Sequence, residues 1–139
     1  MGNSDIRLIE FPVIHDIRGN LTFIENDRQI PFEVKRVYYL YRVPAGESRA
    51  GHAHKSLEQV MIAISGSFLV TLDTGTDRFE YRLSSPRIGL HIFPGTWREI
   101  SEFSEGAVCL VLASDYYNES DYYRNYDQFI ASVKEKNGL

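Results

Sequence analysis

The chain has 139 residues, 43% of them hydrophobic, and its 15 Lys and Arg against 19 Asp and Glu leave a net charge of −4. That size and apolar content suit one domain with a buried core, and the scattered basic residues give no electrostatic footprint for nucleic acid. A few convergent arginines would still serve a phosphate-bearing small ligand.

The single cysteine, Cys109, lies in the apolar run Ala107-Val108-Cys109-Leu110-Val111-Leu112, which excludes an intrachain disulfide and reads as a buried, inert thiol. No segment approaches the roughly 18 apolar residues of a membrane span, and Met1-Gly2-Asn3-Ser4-Asp5 is not a cationic leader, so the expected location is the cytoplasm.

In chain order, Ile6 to Ile14, Leu21 to Glu25 and Val34 to Val43 read as the first strands, separated by the turn residues Asp16-Ile17-Arg18-Gly19-Asn20 and by Ile30-Pro31-Phe32. Gly51 to His54 follows, then Gln59 to Leu72 with a break near Ser65-Gly66-Ser67. Asp73-Thr74-Gly75-Thr76-Asp77 signals a hairpin. Phe79 to Leu83, Gly89 to Phe93, Trp97 to Phe103 and Val108 to Ala113 complete the set, and this density of short strands predicts an all-β closed barrel or jelly roll. Tyr126, Phe129, Ile130 and Val133 then recur at helical spacing, with Lys134, Lys136 and Gly138 as end signals, so one amphipathic C-terminal helix is expected on the same domain, residues 1–139.

His52 and His54 are two apart on a strand and therefore share a face, while Ala53 packs the other way. Gly46 precedes the pair by six residues, Glu58 follows His54 by four, and Gly66 closes the next hairpin. The pattern resembles the first cupin motif with one extra residue before the last glycine. The second cupin segment corresponds to Gly89-Leu90-His91-Ile92-Phe93-Pro94-Gly95-Thr96-Trp97-Arg98, and its usual ligand histidine is replaced by Arg98. A guanidinium stays protonated and cannot ligate, so a site of His52, His54 and Glu58 lacks a fourth ligand, and metal binding is disfavoured. The pair is instead read as catalytic proton carriers. His91 is expected to be structural or superficial, and His15, beside a turn, to be solvated.

More specific stretches follow in order: Val34-Lys35-Arg36-Val37-Tyr38-Tyr39, Arg49-Ala50-Gly51-His52-Ala53-His54-Lys55, Leu57-Glu58-Gln59-Val60, Ser85-Pro86-Arg87-Ile88-Gly89-Leu90 and Trp97-Arg98-Glu99. Leu110-Val111-Leu112-Ala113-Ser114-Asp115-Tyr116-Tyr117 and Asp121-Tyr122-Tyr123-Arg124-Asn125-Tyr126 continue them. Across nearly the whole chain they resemble the sugar-nucleotide 3,4-ketoisomerases. That resemblance implies a metal-independent, cofactor-free enzyme that moves the carbonyl of dTDP-4-keto-6-deoxyglucose from C4 to C3 on the way to 3-amino-3,6-dideoxy sugars. It also implies a homodimer with exchanged N-terminal strands, Ile6 to Ile14 being the stretch concerned.

The resemblance implies a division of chemical roles. A base removes the C3 hydrogen, acidified by the C4 ketone, and the enediol is reprotonated at C4; histidine, with an ordinary pKa of about 6.5, suits both steps. His54 is taken as the carbon base and His52 as its partner at the oxygens. Arg49 and Arg98 stabilise the enediolate or grip the diphosphate, one of Tyr38 and Tyr39 faces the cavity, and Arg18 lies near the sugar. In the family, arginine at the Arg18 position accompanies histidine at the Arg98 position in galacto-product enzymes, and tyrosine accompanies arginine in gluco-product ones. This chain combines Arg18 with Arg98, and the expectation leans to the galacto product.

Three alternatives stand beside this reading: a 3,5-epimerase, which would carry a histidine–aspartate dyad not evident in the sequence, a metal-dependent cupin, and a non-catalytic sugar-binding cupin.

Overall fold

The structure is a computed structural model describing residues 6–138. Its strands are β1 (Ile6–Glu10), β2 (Val13–Asp16), β3 (Gly19–Thr22), β4 (Arg36–Tyr41), β5 (Arg49–His54), β6 (Gln59–Ser65), β7 (Phe68–Asp73), β8 (Arg78–Leu83), β9 (Ile88–Ile92), β10 (Trp97–Ser101), β11 (Val108–Ala113) and β12 (Tyr122–Tyr123). A turn of 3-10 helix at Glu119–Asp121 precedes β12, and helix α1 (Tyr126–Lys136) follows it.

Two five-stranded antiparallel sheets, ordered β1-β9-β6-β11-β4 and β12-β5-β10-β7-β8, face each other, while β2 and β3 form a separate hairpin. This is the all-β cupin barrel expected. Strict alternation builds it: on β4, Tyr38 and Leu40 turn inward while Val37, Tyr39 and Tyr41 are exposed. Met61, Phe68, Val70, Leu72, Leu90, Ile92, Ile100 and Val111 fill the space between the sheets. The outer face of the first sheet is covered in part by Phe11, Ile30 and Phe32, which pack on Val60, Ile62 and Leu112.

Several expected boundaries move, two of them by more than an end residue or two. The run from Ile6 to Ile14 is two strands because Phe11-Pro12 breaks the ladder: Phe11 leaves the sheet and fills the space over Gly89, where an added Cβ would sit 2.6 Å from its ring. Gly19-Asn20, expected in a turn, begins β3, pairing Gly19 with Asp16.

The helix starts where Asn125 caps it, its side chain accepting from Gln128 N at 3.0 Å, and it carries Lys134 and Lys136 in its last turn. Phe129 buries against Ala53 and Trp97. The helix thus closes the outer face of β5 and β10, leaving the inner face for His52, His54 and Arg98.

Candidate active site

Between the sheets lies a cavity of about 300 Å³ whose lining includes Arg36, Tyr38, Arg49, His52, Arg98 and Tyr122. Arg49 and His52 are three apart and would face opposite sides of a regular strand. A bulge prevents this: Arg98 pairs with His52 but Glu99 with Ala50, leaving Gly51 as the extra residue, with Ala50 and Gly51 at φ of 78° and 66°. The left-handed Ala50 is backbone strain beside the histidines, stored where a side chain is re-aimed.

The two imidazoles meet edge to face, His52 Nε2 lying 3.2 Å from His54 Nε2. The other nitrogen of His54, Nδ1, is 3.0 Å from Asp121 Oδ2. Asp121 is itself anchored, because its Oδ1 accepts from Ser56 N at 2.9 Å and Ser56 Oγ at 2.8 Å. Tyr122 lies against both imidazoles, with ring centroids 5.0 Å from His52 and 4.3 Å from His54. Pairing of Tyr122 with His54 and Tyr123 with Ala53 brings this tail across the site.

Burial and the positive charge of Arg98 push His52 down to about 3 and His54 down to about 4, the Asp121 carboxylate partly opposing the second shift. Both rings are neutral at pH 7. Asp121 is drawn upward by burial, but its bonds to Ser56 and His54 prevail and hold it below the usual carboxylate value.

Arg98 is fully buried and pushed down to about 10 by desolvation, so it stays a cation at neutral pH. Its Nη1 donates to Gln59 Oε1 and its Nη2 donates to Thr96 O at 2.9 Å. Gln59 Nε2 in turn donates to the Tyr38 hydroxyl at 2.9 Å.

Gln59, rather than Glu58, therefore turns into the barrel. Glu58 Oε1 accepts from His91 Nε2 at 2.8 Å on the opposite face, where His91 is cross-strand from Val60 and packs against Phe32. Counting the cupin spacing from Gln59 removes the extra residue before Gly66. The ligand set His52, His54 and Glu58 is thus not assembled, its inward positions being filled by an amide and a guanidinium. Among the described residues no group of three or more His, Cys, Asp or Glu is placed to hold a metal ion, and these residues do not fit one.

The family described as FdtA: WxcM-like, C-terminal matches residues 4–134. A TDP-4-oxo-6-deoxy-alpha-D-glucose-3,4-oxoisomerase from Aneurinibacillus thermoaerophilus is 47% identical over 95% of this chain and 98% of its own. The chain belongs to the sugar-nucleotide 3,4-ketoisomerase family. It is an isomerase of that type.

Among solved ketoisomerases, a histidine-to-asparagine variant of QdtA from Thermoanaerobacterium thermosaccharolyticum, in complex with TDP-4-keto-6-deoxyglucose, superimposes with a TM-score of 0.93 at 44% identity, covering 95% of this chain and 96% of that one. The WlaRB TDP-quinovose 3,4-ketoisomerase from Campylobacter jejuni gives 0.88 at 44% identity, covering 91% of this chain and 98% of its own.

In this ketoisomerase the structure brings Tyr38, Arg49, His52 and Arg98 to the cavity wall, whereas His54, expected there as the carbon base, is fully buried behind His52 and does not line the cavity. Nor does Tyr39: it is exposed on the outer face of β4, so Tyr38 is the tyrosine of that pair that faces the cavity. Arg18 is 86% exposed at the tip of the β2–β3 hairpin, where it pairs with Asp16 at 2.6 Å and does not line the cavity of its own chain. His91 is a buried structural partner of Glu58, and His15 is exposed. Cys109 is buried, and desolvation pushes its thiol up to about 12, which leaves it inert at neutral pH.

The residues the sequence reading missed come mainly from the tail. Asp121, Tyr122 and Arg124 lie in a quoted motif that carried no assigned role, and the dyad of the epimerase alternative is present as His54–Asp121. Arg124 stacks 4.1 Å over Tyr122 and is held by Glu119 through bonds of 2.6 and 2.9 Å. Arg36 stands between the rings of Tyr38 and Tyr117 at 5.3 and 5.6 Å.

Proposed function

We propose that this chain converts dTDP-4-keto-6-deoxyglucose to its 3-keto isomer without a metal, through an enediol formed over His52 and His54. The observation that carries the mechanism is the histidine pair with Asp121 behind it. A carboxylate only accepts, so His54 keeps its proton on Nδ1 and presents the lone pair of Nε2. Asp121 also stabilises the imidazolium that forms when His54 receives, through His52, the proton taken from C3. His52 is the histidine of the pair that lines the cavity and meets the sugar, and at 3.2 Å a proton passes between the rings. A proton is removed from C3 and one is delivered to C4 after exchange with solvent at the histidines, while the hydroxyl proton moves from the C3 oxygen to the C4 oxygen, so the reaction is redox-neutral overall.

Charge on the enediolate is met by Arg98, whose buried Nε has no hydrogen-bond partner in the described chain. Arg36 likewise keeps Nε and Nη2 without partners, and with Arg49 and Arg124 it gives the cavity a cationic lining for the diphosphate.

Two readings of the C4 configuration compete, each carried by one residue. The galacto product rests on Arg18, which would have to reach the site from a second subunit. The gluco product is favoured by Arg98, which is in the cavity, and by the name of the TDP-quinovose enzyme at 44% identity.

The assembly we propose is a homodimer with exchanged N-terminal strands. Within one chain β1 pairs with β9, but hairpin β2–β3 joins neither large sheet and exposes Ile14, Ile17 and Leu21. An apolar hairpin with open edges is a natural docking element for another copy, and sedimentation equilibrium should return twice the chain mass.

The function is tested by mixing protein and dTDP-4-keto-6-deoxyglucose in deuterated water. NMR should show a 3-keto sugar labelled at C4, and its couplings give the configuration there. Substrate that remains unlabelled and unconverted overturns the proposal.

A further inference from the structure

The cavity holds a hydrogen-bond chain whose direction is dictated by chemistry. Arg98 has only donors, so the end of the Gln59 amide that meets its Nη1 is the carbonyl oxygen. The other end, Nε2, has only hydrogens to offer and sits 2.9 Å from the Tyr38 oxygen. That oxygen therefore accepts, and the hydroxyl hydrogen of Tyr38 must point elsewhere. Tyr38 lines the cavity, which is where a donor is wanted.

The amide cannot reverse cheaply. Gln59 is fully buried, and flipping it would set its NH₂ against the guanidinium of a fully buried arginine while exchanging the Tyr38 contact for an acceptor. The opposite end of the chain is equally fixed, since Arg98 Nη2 is committed to Thr96 O.

We propose that Gln59 is a positioning residue that makes Tyr38 an obligate hydrogen-bond donor to a sugar oxygen, so that the site favours the acceptor-only ketone and enediolate oxygens over a hydroxyl. This deepens the ketoisomerase reading and rests on it for the identity of the sugar. Half-buried Tyr38 keeps its proton at neutral pH, desolvation raising it against the opposing pull of Arg98 and Gln59.

Polarity is read first without substrate. 3,5-Difluorotyrosine is placed at position 38 and its titration followed by fluorine NMR in the wild-type background and in Gln59→Met. If Gln59 donates, its removal raises the midpoint; a lowered or unchanged midpoint overturns the proposal whether or not the protein is an isomerase.

Activity is read second, with circular dichroism and dTDP binding confirming that each variant is folded. Gln59→Glu replaces the donor by an acceptor and draws the Tyr38 proton away from the sugar. Its kcat should fall roughly 30-fold or more with little change in KM, and Gln59→Met should fall less. In a Tyr38→Phe background, Gln59→Glu should add no further loss. Losses that multiply in the double variant would mean that Gln59 acts through Arg98 alone, and would overturn the proposal. Wild-type protein that makes no 3-keto sugar would instead sink the ketoisomerase reading and leave the titration to decide the polarity.

Discussion

Replacing Asp121 by asparagine isolates the element that sets the tautomer of His54. The substitution is nearly isosteric, and the new amide oxygen can still accept from Ser56 N and Oγ, which now bond Oδ1 at 2.9 and 2.8 Å. The amide nitrogen then faces His54 Nδ1, 3.0 Å from the present Oδ2. Two N–H donors cannot share that contact, so the proton moves to Nε2, the atom that must accept the proton passed on by His52. The charge-assisted bond lost is worth about 2–3 kcal/mol, or roughly 30- to 150-fold in rate, before the wrong tautomer adds its own cost. The Asp121→Asn protein should therefore show kcat reduced about 100-fold or more, with dTDP affinity retained and the secondary structure intact. The assay is deuterium wash-in at C4 followed by NMR, with circular dichroism and dTDP titration as controls. A variant that folds, binds dTDP and turns over within about threefold of wild type would falsify the role given to Asp121.

Further outcomes follow from the same geometry. His52 and His54 sit at about 3 and about 4, below the ordinary 6.5, so the unfolded chain takes up two protons that the folded one refuses as pH falls from about 6.5 towards 4; stability is then lost on acidification, at up to about 2.5 kcal/mol per pH unit, and urea unfolding at a series of pH values that gives a flat profile from 7 to 5 refutes it. Arg98→Met removes the cation that depresses both rings and strips partners from Gln59 and Thr96. Both histidine midpoints should rise in ring-nitrogen NMR and stability should fall by about 2–4 kcal/mol. Gly89→Ala sets a methyl 2.6 Å from Phe11 Cζ and 2.8 Å from Val60 Cγ1, and thermal melting should report a loss of about 1–3 kcal/mol without a change in the site. Dialysis against EDTA should leave turnover unchanged; stoichiometric metal lost together with activity would restore the metal-dependent alternative.

The local code carried much of this protein. Alternating apolar residues and turn signals specify the strands, because a strand's faces are set by parity alone, and that logic put His52 and His54 on one side with Ala53 on the other. The chemistry of a guanidinium was equally legible, so Arg98 in a ligand position already spoke against metal.

What parity could not supply was the consequence of breaking it or of distant pairing. The Gly51 bulge brings Arg49 to the cavity, and nothing local forecasts which residue a partner strand will leave unpaired. Whether Glu58 or Gln59 turns inward is decided by the register of β6 against β9 and β11, one residue's difference sending each side chain to the opposite face. Asp121 reaches His54 across 67 positions of sequence only because β12 docks on β5. The histidine pair is written in the sequence, whereas its tautomer and the direction of the Arg98–Gln59–Tyr38 chain exist only once the two sheets and the tail have closed on one another.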